Sequence, residues 1–145
     1  MMIWVINGPN LHALGVRQPD IYGSDTLETL QGKWVELGRQ HGVPIQCHQS
    51  NHEGTIIDWL YEARPSRGVI LNAGAFTHTS VAIRDAIVAI SPCPVIEVHI
   101  SNVYARESFR SHSMIAPVCR GSISGLGVMG YELGIQAILT LTKAT

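Results

Sequence analysis

A histidine closing an apolar run, with a glutamate two residues before it, is a pair that can move a proton. His99 and Glu97 stand in that relation at the end of Val95–His99, where the two-residue period of a strand puts both on one face. Histidine is the side chain whose ordinary pKa suits general acid work near neutrality, although residue types alone fit a structural pair equally well. Tyr22 is a second candidate. It lies in the eighteen-residue stretch Gly8–Asp25, longer than connections usually run, and Arg17 stands five residues before it. Long loops of this kind commonly close as lids. A guanidinium beside a phenol stabilises the phenolate and draws its pKa down from about 10, which makes a base. A surface tyrosine and a solvated arginine are the plainer reading of the same two residues.

Other chemistry-bearing residues point away from alternatives. Only two lysines exist, Lys33 and Lys143, both expected on helices and away from strand ends, so a Schiff-base nucleophile has no candidate. Cys47, Cys93 and Cys119 are odd in number and widely spaced, which suits small buried thiols in a reducing compartment rather than disulfides or a zinc ribbon. His48 and His52 have helix spacing, but Pro44 and the alternation around His48 assign it to a strand, against a zinc site. Gly125-Leu-Gly127-Val-Met-Gly130 matches a dinucleotide fingerprint, yet no strand follows it and no acid lies about twenty residues on. Close packing at the start of the last helix is the expected role. No metal and no cofactor is therefore expected.

These side chains need elements to hold them. Ile3–Ile6 is continuously apolar, as in a strand covered on both faces. Asp25 reads as an N-cap, with Glu28 three residues on, of a helix over Thr26–His41 that carries Leu27, Leu30, Trp34 and Leu37 on one stripe. Gly42 stops it, and His41 sits favourably at its C-terminus. Val43–Gln49 alternates like an outer strand, and Gly54–Ala63 reads as a helix with Ile56, Ile57 and Leu60 inward. Then come strand Val69–Leu71, helix Thr79–Ile90 and strand Val95–His99. A polar segment Ala105–Met114 with a short helical turn, a closing strand Ser122–Ser124 and helix Gly130–Lys143 complete the order, with Met114 and Met129 expected as core fillers. Such alternation predicts one α/β domain over 1–145, a flavodoxin-like doubly wound sheet of five parallel strands in three layers.

In such folds ligands sit beyond the carboxyl ends of the strands. Those ends read Asn7-Gly8-Pro9-Asn10, Gln49-Ser50-Asn51, Asn72-Ala73-Gly74-Ala75 and Glu97-Val98-His99-Ile100-Ser101-Asn102. Amides and hydroxyls with one histidine and almost no acid suit a hydroxylated, anionic small molecule.

Composition agrees. A net charge of −1 over 145 residues gives no reason to expect nucleic acid or an anionic membrane as partner. No apolar stretch is long enough to span a bilayer, and the start MMIWVINGPN reads as a strand rather than a signal peptide. The reducing compartment that the cysteines suit makes a cytoplasmic protein the expectation. Charged residues make up 14% of the chain, against roughly 25% in an average domain, too few to cover a small domain's surface. Part of that surface is expected to be buried against other subunits.

Five blocks in register, N-G-P-N-L-H-A-L-G-V-R-Q-P-D-I-Y-G (7–23), Q-S-N-H-E-G (49–54), N-A-G-A-F-T-H-T-S (72–80), I-E-V-H-I-S-N (96–102) and R-E-S-F-R-S-H-S (106–113), resemble the type II 3-dehydroquinate dehydratases over essentially the whole chain. The resemblance implies a lyase that removes water from 3-dehydroquinate by anti elimination through an enolate, giving 3-dehydroshikimate. The same reaction serves the shikimate pathway of aromatic amino acid biosynthesis and quinate catabolism. It implies Tyr22 as the base, activated by Arg17 and Arg106, Asn10 placing a water on the enolate, and His99, oriented by Glu97, as the acid. Asn72 and the backbone N–H groups of Ile100 and Ser101 would hold the substrate carboxylate. His78 and Arg110 would hold ring hydroxyls, joined by Asp85 of a neighbouring subunit in a dodecamer built as a tetramer of trimers. His12, Ala13, Gln18 and Ala73 depart from the commoner residues of these blocks, at positions that touch lid packing and the turn after the third strand rather than the chemistry.

A non-enzymatic flavodoxin-like binding or signalling module is one competing reading, and a metal-dependent hydrolase using the histidines, which full activity in excess chelator would dismiss, is another. A receiver would need acids after the first strand and a lysine near the last, and a flavin site would need a phosphate loop where Pro9 removes a donor.

Overall fold

The computed structural model describes residues 1–16, 20 and 24–143. Ile3–Asn7 (β1), Gly68–Asn72 (β3) and Val95–His99 (β4) are buried at every position, which is what continuous apolar runs require when both sheet faces are covered. Ile45–Gln49 (β2) and Gly121–Ser124 (β5) are only partly buried because each has a neighbour on one side. The sheet is parallel throughout, in the order β2-β1-β3-β4-β5, the flavodoxin-like order expected.

Among the described residues four helices cover it: Leu27–Gln40 (α1), Glu53–Ala63 (α2), Val81–Ala89 (α3) and Met129–Leu141 (α4). Leu30 and Trp34 of α1 pack with Tyr131, Ile135 and Ile138 of α4 against Ile3, Val5, Ile96 and Val98. Ile56 and Leu60 of α2 and Ile83 and Ile87 of α3 pack on the opposite face against Ile6, Val69, Leu71 and Val95. Two apolar layers with the sheet between them give the three-layer architecture, and each fully buried aliphatic side chain in them contributes about 1.5–3 kcal/mol. The glycine run does pack closely here. A Cβ on Gly130 would lie 3.3 Å from Val98 Cγ1, while Gly127 has φ +65 in the turn before the helix.

Several expectations are corrected. Thr26, not Asp25, caps α1: its hydroxyl accepts from Thr29 N–H at 3.2 Å, and Asp25, one residue earlier, lies 3.9 Å from Lys33 Nζ. A cap must reach the N–H three residues on, and here the threonine has that spacing. Gly38 is buried in place of a fully buried Leu37, since its missing Cβ lets Ile45 approach. β2 begins at Ile45 because Pro44 uses its carbonyl to accept from Ile3 N–H and has no N–H of its own. Met129 is 50% exposed rather than a core residue, being on the outer side of the first turn of α4. Lys143 lies past the Thr142 C-cap, outside the helix. The polar segment Ala105–Met114 holds the short turn expected, Ser108–Ser111, a 3-10 turn, with further 3-10 turns flanking it at Val103–Ala105 and Ala116–Val118. Among the described residues no helix is long and apolar enough to cross a membrane.

Candidate active site

The parallel register aligns polar residues at the carboxyl edge of the sheet. Asn7 is level with Gln49 on one side and Asn72 on the other, and His99 is level with Ser124. Apolar residues fill the strands behind them, so the chain leaves its covered sheet through a row of amides.

Those amides hold the loops in place. Asn72 Oδ1 accepts from Gly74 N–H at 3.1 Å, and its Nδ2 donates to the Tyr131 hydroxyl at 2.8 Å. Tyr131 in turn donates to Asn7 Oδ1 at 2.6 Å. Complete burial raises the Tyr131 phenol pKa above its usual range, so it stays neutral and acts only as a hydrogen-bond relay. Its ring stacks on Trp34 with centroids 4.3 Å apart. On the outer side Gln49 Nε2 donates to Gly8 O at 3.1 Å, and Asn51 Oδ1 accepts from Asn10 N–H at 3.0 Å. Asn10 has φ 71, a left-handed conformation that asparagine tolerates better than most residues. Gly8 passes against the next loop, where a Cβ would lie 2.5 Å from Ala73 O, so only glycine fits.

On the other side of the edge stands the His99–Glu97 pair. His99 Nε2 lies 2.5 Å from Glu97 Oε2, and both side chains are almost wholly buried. The same carboxylate oxygen accepts from Ser113 Oγ at 2.9 Å. The segment carrying Ser113 is pinned across the strand ends by Met114 N–H to Thr77 O at 2.8 Å and by the His78 ring to His112 O at 2.8 Å. Pinning this segment delivers two arginines. Arg106 donates to Ser101 Oγ at 3.3 Å, and Arg110 donates to Glu107 Oε2 at 3.0 Å while covering the Phe109 ring. The Arg110 guanidinium holds the Glu107 carboxyl below its usual pKa.

These elements enclose a cleft of about 140 Å³ whose walls include Asn10, Asn72, His78, His99, Ile100, Ser101, Arg106 and Arg110. Eight of the expected site residues thus come together. Glu97 sits directly behind His99. Asp85 does not join them: it is exposed on α3 beside Arg84 and away from this chain's cleft. Arg17 and Tyr22, like the Gln18 departure, lie outside the described residues. Ala13 lines the cleft, whereas His12 is exposed. Reading the sequence placed Asn7 at the edge without a partner, and missed Ser113 and Tyr131. Ser113 stood inside a quoted block with no spacing to mark it, and Tyr131 is separated from Asn7 by 124 residues.

The three thiols are free and half-buried. Burial pushes Cys47 up to about 11, and burial with the nearby Glu97 charge pushes Cys119 up to about 12, so neither is a nucleophile at neutral pH. His48 is held between the Trp4 and Trp59 rings, each centroid 4.8 Å away, with its pKa lowered by burial.

A flavodoxin-like sheet whose carboxyl edge brings a buried His–Glu pair, two arginines and a wall of amides to one cleft is an α/β arrangement of the kind that takes up polar small molecules. Comparison with known proteins narrows this. The Dehydroquinase class II family profile matches residues 1–139. The chain is 61% identical over 138 residues to a 3-dehydroquinate dehydratase of Halalkalibacterium halodurans, covering 94% of each. It is 54% identical over 143 residues to one of Variovorax paradoxus. Among solved structures, a type II dehydroquinase of Butyrivibrio crossotus superposes with a TM-score of 0.92 at 47% identity, covering 95% of this chain and 97% of that one. The chain belongs to the class II dehydroquinase family.

Proposed function

We propose that this protein is a hydro-lyase, a single catalytic domain that removes water from 3-dehydroquinate to give 3-dehydroshikimate. The observation that carries the reading is the buried His99–Glu97 pair facing a cleft with Arg106, Arg110 and Asn72, in a chain of this family. A non-enzymatic module is not favoured, because relatives named as dehydratases match the chain over nearly its full length.

The C2 proton lies α to a ketone and is weakly acidic, so its removal needs a base and preorganised donors for the enolate. Tyr22 takes that proton as phenolate, its pKa lowered by Arg17 and Arg106. A water placed by Asn10 stabilises the enolate oxygen. His99 then gives its proton to the C1 hydroxyl, which leaves as water as the enolate collapses to the enone. The substrate carboxylate lies against Asn72 and the backbone N–H groups of Ile100 and Ser101. His78 and Arg110 bind ring hydroxyls. Asp85 reaches the cleft of a neighbouring subunit, in a tetramer of trimers; its exposure on α3 in the single chain supports that assignment. The three free thiols are in keeping with a cytoplasmic setting.

The test is to incubate the pure protein with 3-dehydroquinate and follow enone absorbance, with borohydride present to exclude an imine. Steady production of 3-dehydroshikimate is expected, undiminished by borohydride. A folded protein that produces no enone would overturn the reading.

A further inference from the structure

We infer that Ser113 is a positioning residue that sets the tautomer of His99 by holding Glu97 Oε2 as a hydrogen-bond acceptor. The inference rests on His99 being the acid of the proposed reaction.

The argument is a count of protons and lone pairs. A serine hydroxyl has one proton and two acceptor sites. Ser113 Oγ accepts from Ala116 N–H at 3.0 Å and from Ile115 N–H at 3.3 Å, both donors of the turn that follows it. Backbone N–H groups can only donate, so both acceptor sites are occupied. The hydroxyl proton is left for Glu97 Oε2, 2.9 Å away. Oε2 therefore accepts on that side and cannot itself carry the proton of a neutral carboxyl toward Ser113.

The same oxygen lies 2.5 Å from His99 Nε2. Two groups at hydrogen-bond distance need one proton between them; Glu97 as a carboxylate, the form that the Ser113 hydroxyl bond favours, is acceptor-only, so Nε2 supplies that proton. His99 then carries its fixed proton on Nε2, and Nδ1 is the nitrogen that exchanges a proton with substrate. In the imidazolium form Nδ1–H is the acid. After transfer the neutral ring keeps Nε2–H on Glu97, so the ring need not rotate during turnover. Ser113 is not among the described residues that line the cleft and acts through Glu97: it borders the small cavity behind His99, which Thr77 and Glu97 also line.

The experiment is long-range ¹H–¹⁵N NMR of the histidine rings in the free protein, paired with steady-state kinetics. Wild type should show His99 as the Nε2–H tautomer when neutral. Ser113→Ala should let the Nδ1–H tautomer appear and lower kcat by about 10–100-fold, with KM changed less than about two-fold and Ser113→Thr restoring both signals. In the Glu97→Gln background, Ser113→Ala should cause no further loss, because a residue acting through Glu97 has nothing left to position. A wild-type Nδ1–H tautomer, a Ser113→Ala protein with wild-type tautomer and kcat, or losses that multiply in the double variant would each overturn the inference. Should Ser113→Ala fail to fold, Ser113→Cys, of similar size with a weaker donor, is read in the same way. The NMR needs no substrate, so a wild type without dehydratase activity would count against the proposed function while this inference is judged on its own.

Discussion

Tyr131 donates a 2.6 Å hydrogen bond to Asn7 and accepts one of 2.8 Å from Asn72, joining the last helix to the ends of two central strands. Because its proton is committed to Asn7, the phenol can only accept from Asn72, which fixes which end of that amide is which. Tyr131→Phe removes the oxygen and leaves two buried amides short of a partner. A loss of about 1–3 kcal/mol in stability is expected, read as a lower urea midpoint with unchanged slope. A higher KM should accompany it, since Asn72 is then free to turn. An unchanged KM would mean that Gly74 N–H alone orients the amide.

Removing either end of the acid–base machinery should act on turnover. His99→Ala and Tyr22→Phe are each expected to lower kcat by roughly 10²–10⁴. Arg17→Ala should cause a similar loss, mainly in kcat; a change confined to KM would reduce Arg17 to a binding group. Near-wild-type turnover in either of the first two variants would remove that residue from its proposed role.

Mixing subunits tests the assignment of Asp85. Asp85→Ala and His99→Ala proteins should each be poorly active alone. Co-refolded, they should regain activity, because some clefts then combine an intact His99 with a neighbour's intact Asp85. Absence of recovery in a confirmed mixed oligomer would place Asp85 outside the site.

The buried thiols and phenol predict how stability changes with pH. Cys47 and Cys119 are raised to about 11 and about 12, and Tyr131 is raised as well, in each case chiefly by burial. Above about pH 8.5, the ordinary thiol value, the unfolded chain loses protons that the folded chain keeps. The unfolded state then binds fewer protons, so stability is complete below that pH and falls as pH rises toward 11–12. Urea midpoints measured from pH 7.5 to 10 should decline, and the decline should shrink in a Cys47→Ala, Cys119→Ala variant. A flat profile would show that the thiols titrate normally in the fold.

The sequence by itself determined the type and order of the strands and main helices and the sheet edge at which the cleft lies. Apolar runs such as Ile3–Ile6 and Val95–His99 have the period and length of buried strands, and a strand's two-residue repeat is enough to put Glu97 behind His99. The amides after each strand were legible for the same local reason. Tertiary structure alone decided what those side chains bond to. Ser113 meets Glu97 only because the turns after β4 fold back over the strand ends, anchored by Met114 on Thr77 and His112 on His78. Tyr131 meets Asn7 and Asn72 only because α4 returns across the sheet. A hydrogen bond is fixed by distance and direction in space, and residues 16 or 124 positions apart carry no periodicity that records it.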